Sequence, residues 1–232
     1  MVASSRWSII VFACVPLCGA EPAAAPPKVL LLVRQQFKPG KALLRARLER
    51  AVAAIYNKQD VPVYWLEFAA FTGPAEALYL EPFDSFEAVE KAGAILGPLY
   101  EAHPELLRMQ AGIEDTLSSE RRVLAVRRDS PDVGNMNLAQ AHFLRMLIVR
   151  SAPGEELPSA SDLTPCVVYE VTSGMPSPTL LIFQALTAFT DLPAASFTRG
   201  TVVEDAVYAV DPELSHVSHK FAEQNPALWT KP

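Results

Sequence analysis

The sequence predicts an α+β fold: one β-α-β-β-α-β unit written twice in tandem, the second copy poor in helix. Three observations predict it. Short runs of branched and apolar residues alternate with stretches of helical period. Both halves open on a strand that ends in Pro-Gly, at Pro39-Gly40 and at Pro153-Gly154. The strand-to-helix junction "LYLEPFDSF" (residues 78–86) returns as "LIFQALTAF" (181–189), position for position at an offset of 103 residues. Landmarks in one order mark an internal repeat.

"KVLLLVRQQF" (28–37) reads as the first strand, and "KPGK" turns the chain. In "ALLRARLERAVAAIYNKQ" (42–59), Leu44, Leu48, Ala51, Val52 and Ile55 share one helical face, while Arg45, Arg47, Arg50 and Lys58 fall elsewhere. "VPVYWLEFAAF" and "EALYLEPF" are two strands about a Gly-Pro turn, the second ending at Pro82. Asp84 is placed to cap the next helix, with Glu87 three residues on completing a capping box. That helix is expected to break at Gly97-Pro98 and at His103-Pro104, then resume through "ELLRMQAGIEDTL". "RRVLAVRR" closes the unit, which is the ferredoxin-like or split βαβ arrangement over residues 28–130.

Residues 131–140 read as a linker, and residues 141–232 as the second, degenerate copy. Its strands are "HFLRMLIVR", "CVVYEVT", "LIFQALTAF" and "TVVEDAVYAV". "EELPSASDLT" (155–164) is too short and Pro-broken for a long crossover helix. Thr187 stands where Asp84 stands, yet at most one turn follows it. The tail "DPELSHVSHKFAEQNPALW" reads as a short helix in a polar run.

Residues 1–20 have the form of a secretory signal: Arg6 alone carries charge, residues 7–17 are almost wholly apolar, and "CGA" offers small residues for cleavage after Ala20. The apolar run falls short of the roughly 20 residues of a membrane span. A Pro/Ala linker fills residues 21–27, and the mature chain is expected to be secreted or periplasmic. A lipoprotein reading through Cys14 meets a bulky Phe12 and a short apolar run. Cleavage would remove Cys14 and Cys18, so Cys166 is left without an internal disulfide partner and the core alone must hold the fold. With 20 basic against 26 acidic residues, neither nucleic acid nor an anionic membrane is an expected partner.

The junction "LEPFDSFEAVEK" with "HPELLRMQ", and the closing "PELSHVSHKFAEQNPALW", resemble the NIPSNAP-like branch of the dimeric α/β-barrel superfamily, which includes the antibiotic-biosynthesis monooxygenases. The resemblance covers about residues 28–229. It implies two ferredoxin-like sheets packed face to face as an α/β barrel within one chain, helices outside and a cavity between the sheets. It also implies, for some members, cofactor-independent oxygenation, in which a few Asn, Trp, His or Arg groups bind and polarise an aromatic substrate.

Strand alternation sorts the chemistry. Trp65 and Glu67 share a face with Val63 and Ala69; Arg145 lies with Leu147; His142 lies with Leu144; Glu170 lies with Val168. Ionised groups in mid-strand are costly if buried unpaired, which singles out Glu67, Arg145 and Glu170. They form either a polar floor in an apolar pocket, with Trp65 or Tyr79 stacking on a ligand, or a structural Arg–Glu pair between the half-barrels. His142 is a candidate base or axial ligand, or simply solvated, and haem would require it inside the cavity. His216 and His219 share a helical spacing but have no matching ligands, so no metal is expected. Cys166 reads as a small core residue, and no phosphate-loop, dinucleotide or nucleophile-elbow motif is present.

The expectation is a binding protein without catalysis or cofactor, taking a small apolar ligand or a protein partner, with a homo-oligomer open. The alternative is a cofactor-independent monooxygenase-like enzyme acting on a small aromatic substrate through Trp65, His142 and Arg145.

Overall fold

The computed structural model describes residues 26–128, 137–152, 154–155, 166–193 and 200–229. The signal at 1–20, residues 21–25, part of the 131–140 linker and nearly all of "EELPSASDLT" lie outside the described residues. The strands are β1 (Val29–Phe37), β2 (Leu66–Ala70), β3 (Glu76–Phe83), β4 (Leu117–Arg127), β5 (Phe143–Arg150), β6 (Val167–Ser173), β7 (Thr179–Leu186) and β8 (Thr201–Val210). All pairs are antiparallel, and the strands close into an eight-stranded barrel in the order β1-β3-β2-β8-β5-β7-β6-β4. Three long helices, α1 (Ala42–Gln59), α2 (Phe86–Ala102) and α3 (Pro104–Glu114), belong to the first half, and two one-turn helices, α4 (His219–Ala222) and α5 (Pro226–Trp229), end the described chain. The architecture is thus α+β, an antiparallel barrel with few helices. No described helix is long and apolar enough to cross a membrane.

The two halves share one strand permutation, β4-β1-β3-β2 and β8-β5-β7-β6. They also share a register: Val29 faces Phe83 across β1 and β3, and Phe143 faces Leu186 across β5 and β7. Strands β3 and β7 keep the 103-residue offset read from the sequence.

The barrel interior is solid. Leu30, Leu32, Phe68, Leu78, Leu144, Met146, Tyr169, Phe183 and Tyr208 alternate inward along their strands and form one core. The cavity expected between the two sheets is therefore absent from this core: branched and aromatic side chains fill the space a ligand would need. The outward face of the first half-sheet is covered by α1, α2 and α3 over a second core built on Val52, Tyr56, Val63, Phe83 and Leu106. On the second half, Leu147, Val149, Cys166, Val168, Leu180 and Ile182 form a separate buried cluster.

Several local expectations are corrected. The most buried residues of α1 are Arg45, Glu49, Val52, Ala53 and Tyr56; of the expected stripe Val52 is buried and Leu48 and Ile55 pack against the same core, while Leu44 is 46% exposed. The cap of α2 is Ser85, whose Oγ accepts from Ala88 N at 3.2 Å; Asp84 is exposed and Glu87 pairs instead with Lys91 at 2.8 Å. Helix α2 runs through Pro98, because the bond it forfeits is to the carbonyl of Ala94, on an exposed turn that water can reach. It does stop at His103, and Pro104 starts α3, where a missing N–H is no loss. Strand β4 begins at Leu117 rather than Arg121, and β2 is cut to five residues. The tail is not a solvated run: Leu214, His216, Phe221 and Trp229 are buried, and Trp229 Nε1 donates to Ala139 O at 2.8 Å.

Candidate functional site

Among the described residues, a cavity lies on the outside of the barrel. Between the outward face of β1, β3 and β4 and the inner faces of α1, α2 and α3 is a space of about 240 Å³. Its apolar walls are Val33, Val52, Val63 and Leu96, and four aromatic rings border it: Tyr56, Trp65, Tyr79 and Tyr100. The polar lining is Gln35, Glu49, Glu81, Gln110 and Arg122. An apolar hollow with a few convergent polar groups is the form a small-molecule site takes, and this one falls somewhat below the usual range of about 300–1,000 Å³.

Alternation places these groups. Outward positions on β1 carry Val33 and Gln35; on β3, Tyr79 and Glu81; on β4, Arg122. Helical spacing on α1 brings Glu49, Val52 and Tyr56 onto the same wall. Tyr56 meets Trp65 edge to face with centroids 5.0 Å apart, and its hydroxyl lies 3.4 Å from that of Tyr100.

Beside the cavity runs a buried charge network. Arg45 Nη1 donates to Glu67 Oε1 at 2.7 Å, and its Nη2 lies 3.7 Å from Glu49 Oε1. Tyr79 donates its hydroxyl to that same Glu49 oxygen at 2.9 Å. The guanidinium sits over the rings of Phe37 and Tyr79, at 4.8 and 5.4 Å from their centroids. Glu67 is 1% exposed and Arg45 3%. One guanidinium between two buried carboxyls can balance only one negative charge, so the carboxyls retain a proton between them near neutral pH. Burial pushes Glu67 up to about 8 against the opposing pull of Arg45, and raises Glu49 likewise. Burial also pushes Glu81 up to about 7, Arg122 opposing and Glu120 adding.

The tail fixes the wall from behind. Trp65 and His216 exchange backbone hydrogen bonds at 2.8 and 3.0 Å, and Trp65 Nε1 donates to Leu214 O at 2.8 Å. Glu67 N donates to Ser215 Oγ at 2.9 Å. His216 is 2% exposed, with Nε2 2.7 Å from Val61 O and Nδ1 2.5 Å from the Asn57 side-chain amide; burial holds it below its ordinary range. This one bridge therefore sets the position of both a cavity ring and the anchor of Arg45.

Of the residues singled out in the sequence, Trp65 and Tyr79 border the cavity and Glu67 sits beside it, holding Arg45. The others are not brought there. Arg145 is buried on β5 in the second half, bonded through Nε and Nη2 to Asp205 at 2.8 and 2.6 Å and through Nη1 to Pro193 O at 2.6 Å. Glu67 and Arg145 do not pair: each has a partner in its own half, so no Arg–Glu bridge between them ties the halves together. An inter-half charge cluster exists elsewhere, where Arg34 meets Glu76 at 2.6 Å and Glu204 at 2.7 Å. His142 is exposed at the start of β5, and Glu170 is half-buried on β6. Glu49, Glu81, Arg45 and His216 were missed. The spacing 45, 49, 52, 53, 56 is itself a helical stripe, but its charged members disguise it. Among the described residues no group of three or more His, Cys, Asp or Glu could hold a metal ion.

No family model and no curated protein matches the chain. Among solved structures it is similar to an anthrone oxidase-like protein, at 10% identity over 81% of this chain and 93% of that one, with a TM-score of 0.49. It is similar at the same TM-score to a single-site variant of chlorite dismutase from Candidatus Nitrospira defluvii in complex with cyanide, at 8% identity over 84% and 94%. A presumed monooxygenase from Lactobacillus acidophilus follows at 9% identity over 79% and 93%, with a TM-score of 0.45. Likeness at this level is one of outline, and the chemistry has to be read from the residues of this chain.

Proposed function

We propose that the chain is a binding protein whose first half holds a small, largely apolar, flat molecule between the sheet and its helices. The observation that carries this is the cavity of about 240 Å³ bordered by Tyr56, Trp65, Tyr79 and Tyr100. Four rings supply large contact area at low cost in side-chain entropy, and a space this size takes a ligand of one or two rings. Calorimetric titration of the chain with one- and two-ring arenes is the test. Saturable binding is expected, and it should vanish in Leu96→Trp, which fills the hollow from α2. An empty titration across the panel, with a folded chain, removes the reading.

A second reading is an enzyme of the cofactor-independent monooxygenase kind acting on a small aromatic substrate. What favours it is Glu49, a buried carboxyl facing the cavity, hydrogen-bonded to Tyr79 and held above its ordinary range by burial, which places a candidate proton acceptor beside the ligand space. His142 and Arg145 take no part in this version. Dioxygen uptake with hydroxyarenes, present in the wild type and lost in Glu49→Gln, would support it; uptake indifferent to Glu49 would end it.

We read the chain as two tandem ferredoxin-like repeats, supported by the shared strand permutation and the shared β1–β3 and β5–β7 registers. The NIPSNAP-like affinity rests on the sequence resemblance. Export rests on the form of residues 1–20, and a mature N-terminus at Glu21 is its test.

A further inference from the structure

We propose that the molecule seated in this cavity is cationic: a small organic amine or ammonium with a compact apolar body, its nitrogen towards Glu49 and Glu81 and its body among the aromatic rings. The proposal rests on the cavity being a ligand site and adds the charge of the ligand.

The argument is a pairing account. Four carboxyls stand in or immediately behind the walls: Glu49, Glu67, Glu81 and Glu120. Two guanidiniums stand with them. Arg45 is committed to Glu67 at 2.7 Å, and Arg122, largely exposed, donates to Glu120 at 2.8 Å. Glu120 also accepts from Gln35 at 2.9 Å. Glu49 and Glu81 are what remains. Glu49 is 7% exposed and has the Tyr79 hydroxyl and the distant Nη2 of Arg45, 3.7 Å away. The Glu81 carboxyl has no side-chain hydrogen bond or salt bridge within 4 Å among the described residues and is opposed only by the more distant charge of Arg122, and both carboxyls line the hollow. An anionic ligand would face two carboxyls with both arginines already hydrogen-bonded to other carboxyls, Arg45 to Glu67 and Arg122 to Glu120, and a neutral arene would leave them as they are. A cation completes the set.

The rings agree with the count. Tyrosine and tryptophan faces carry the negative end of the ring quadrupole, and a desolvated cation against them gains most where a carboxylate also stands. Here Tyr56, Trp65, Tyr79 and Tyr100 border the same space as the two carboxyls.

Proton linkage gives the inference a second signature. Burial holds both carboxyls above their ordinary range, Glu81 at about 7. Facing Glu49 are Arg45 of α1, Glu67 of β2, Tyr79 of β3 and Glu120 of β4. Facing Glu81 are Tyr56 of α1 and Glu120 and Arg122 of β4, with Tyr100 of α2 beside Arg122. The ligand amine stays charged from pH 5.5 to 8, so affinity should rise with pH over this window as Glu81 ionises, and binding should release protons.

The test compares three matched probes by calorimetry on the chain: phenethylamine, phenethyl alcohol and 3-phenylpropionate. The amine is expected to bind at least about tenfold more tightly than the alcohol at pH 8, and the anion more weakly than either. The preference should shrink at pH 5.5 and disappear in Glu49→Gln/Glu81→Gln, whose melting curve reports that it folds; should the double variant not fold, Glu81→Gln alone must reduce the preference. Equal binding of amine and alcohol overturns the charge assignment while leaving the cavity reading intact. A preference unchanged by the substitutions overturns it as well. No binding of any probe, by a chain that melts cooperatively, overturns both.

Discussion

Replacing Arg45 with methionine tests the charge accounting beside the cavity more sharply than any other single change. Among the described residues Arg45 is the cation that reaches both Glu67, at 2.7 Å, and Glu49, at 3.7 Å. Methionine keeps much of the stem volume and removes the charge. Removing one partner of a buried pair costs about 3–5 kcal/mol when the other charge is left stranded. A carboxyl has an escape, however, which is to keep its proton. Burial already pushes Glu67 up to about 8 with Arg45 opposing, so without Arg45 it must rise further. The sign follows from linkage. A carboxyl raised above its unfolded value near 4.5 gives stability that is whole below that pH and lost as pH rises through the folded value, about 8.

The loss in Arg45→Met is therefore pH-dependent. Near pH 6 Glu67 is neutral in both proteins, and the variant forfeits the hydrogen bond to Glu67 and the guanidinium's contact with Phe37 and Tyr79, about 2 kcal/mol together. Near pH 8.5 Glu67 ionises in the native protein, whereas the variant must still hold that proton, which adds up to about 1 kcal/mol and brings the loss to about 3 kcal/mol, or roughly 10 °C in melting temperature for a chain of this size. Urea unfolding at the two pH values measures both. In Arg45→Met/Glu67→Gln the pH-dependent part should largely vanish, since an amide has no charge to bury. An equal loss at both pH values, or one under about 1 kcal/mol near pH 8.5, would refute the shared-proton account.

Three further changes have expected sizes. Ser85→Ala should cost about 1 kcal/mol by removing the α2 cap, while Asp84→Ala should be within error, both read from melting curves. Tyr208→Phe should cost about 1–3 kcal/mol, because its hydroxyl donates to Glu76 Oε1 at 2.6 Å inside the barrel and the other Glu76 oxygen has no partner. Gly174→Ala should be among the most damaging small changes, several kcal/mol by denaturation: φ is +91° and a Cβ would lie 2.1 Å from the Arg122 carbonyl oxygen, which cannot yield without shifting the β4–β6 seam.

The fold was legible in the sequence to the extent that hydrophobic period expresses it. Strands β3 and β8 fall where their apolar runs predict, and the 103-residue offset survives as a shared register. The site was legible only in part. Trp65, Glu67 and Tyr79 stood out because strand alternation makes an ionised or aromatic mid-strand residue conspicuous. Arg45 and Glu49 did not, because counting apolar positions on α1 selects Leu44 and Leu48, whereas packing selects the face whose charges cancel against β2 and β3. His216 was hidden differently: its burial depends on a single bridge to Trp65 from 151 residues away, a contact no local pattern encodes. Ser85 and Asp84 compete for one cap, and the sequence names both as capable.

The shared register also shows how the equivalent outward faces of the two described halves differ. Aligning β5–β7 on β1–β3 puts Val149 in place of Gln35, Ile182 in place of Tyr79 and Gln184 in place of Glu81. Aligning β6 on β2 puts Val168 in place of Glu67 and, one step further, Cys166 in place of Trp65. In the second half the outward face is thus mostly small and aliphatic where the first is aromatic and acidic: Val149, Cys166, Val168 and Ile182 pack as a buried cluster, while Gln184 accepts from Arg145 Nη1 at 3.3 Å. Its polar exception is self-contained: Arg145, equivalent to Leu31, pairs with Asp205, equivalent to Arg122. The first half thus sets carboxyls over a hollow where the described second half sets apolar side chains and one arginine–aspartate pair, with strand order and register held constant. On that argument, introducing Val168→Glu alone should destabilise the chain without creating a second site, because neither the facing arginine of α1 nor the hollow above it has a counterpart in the described second half.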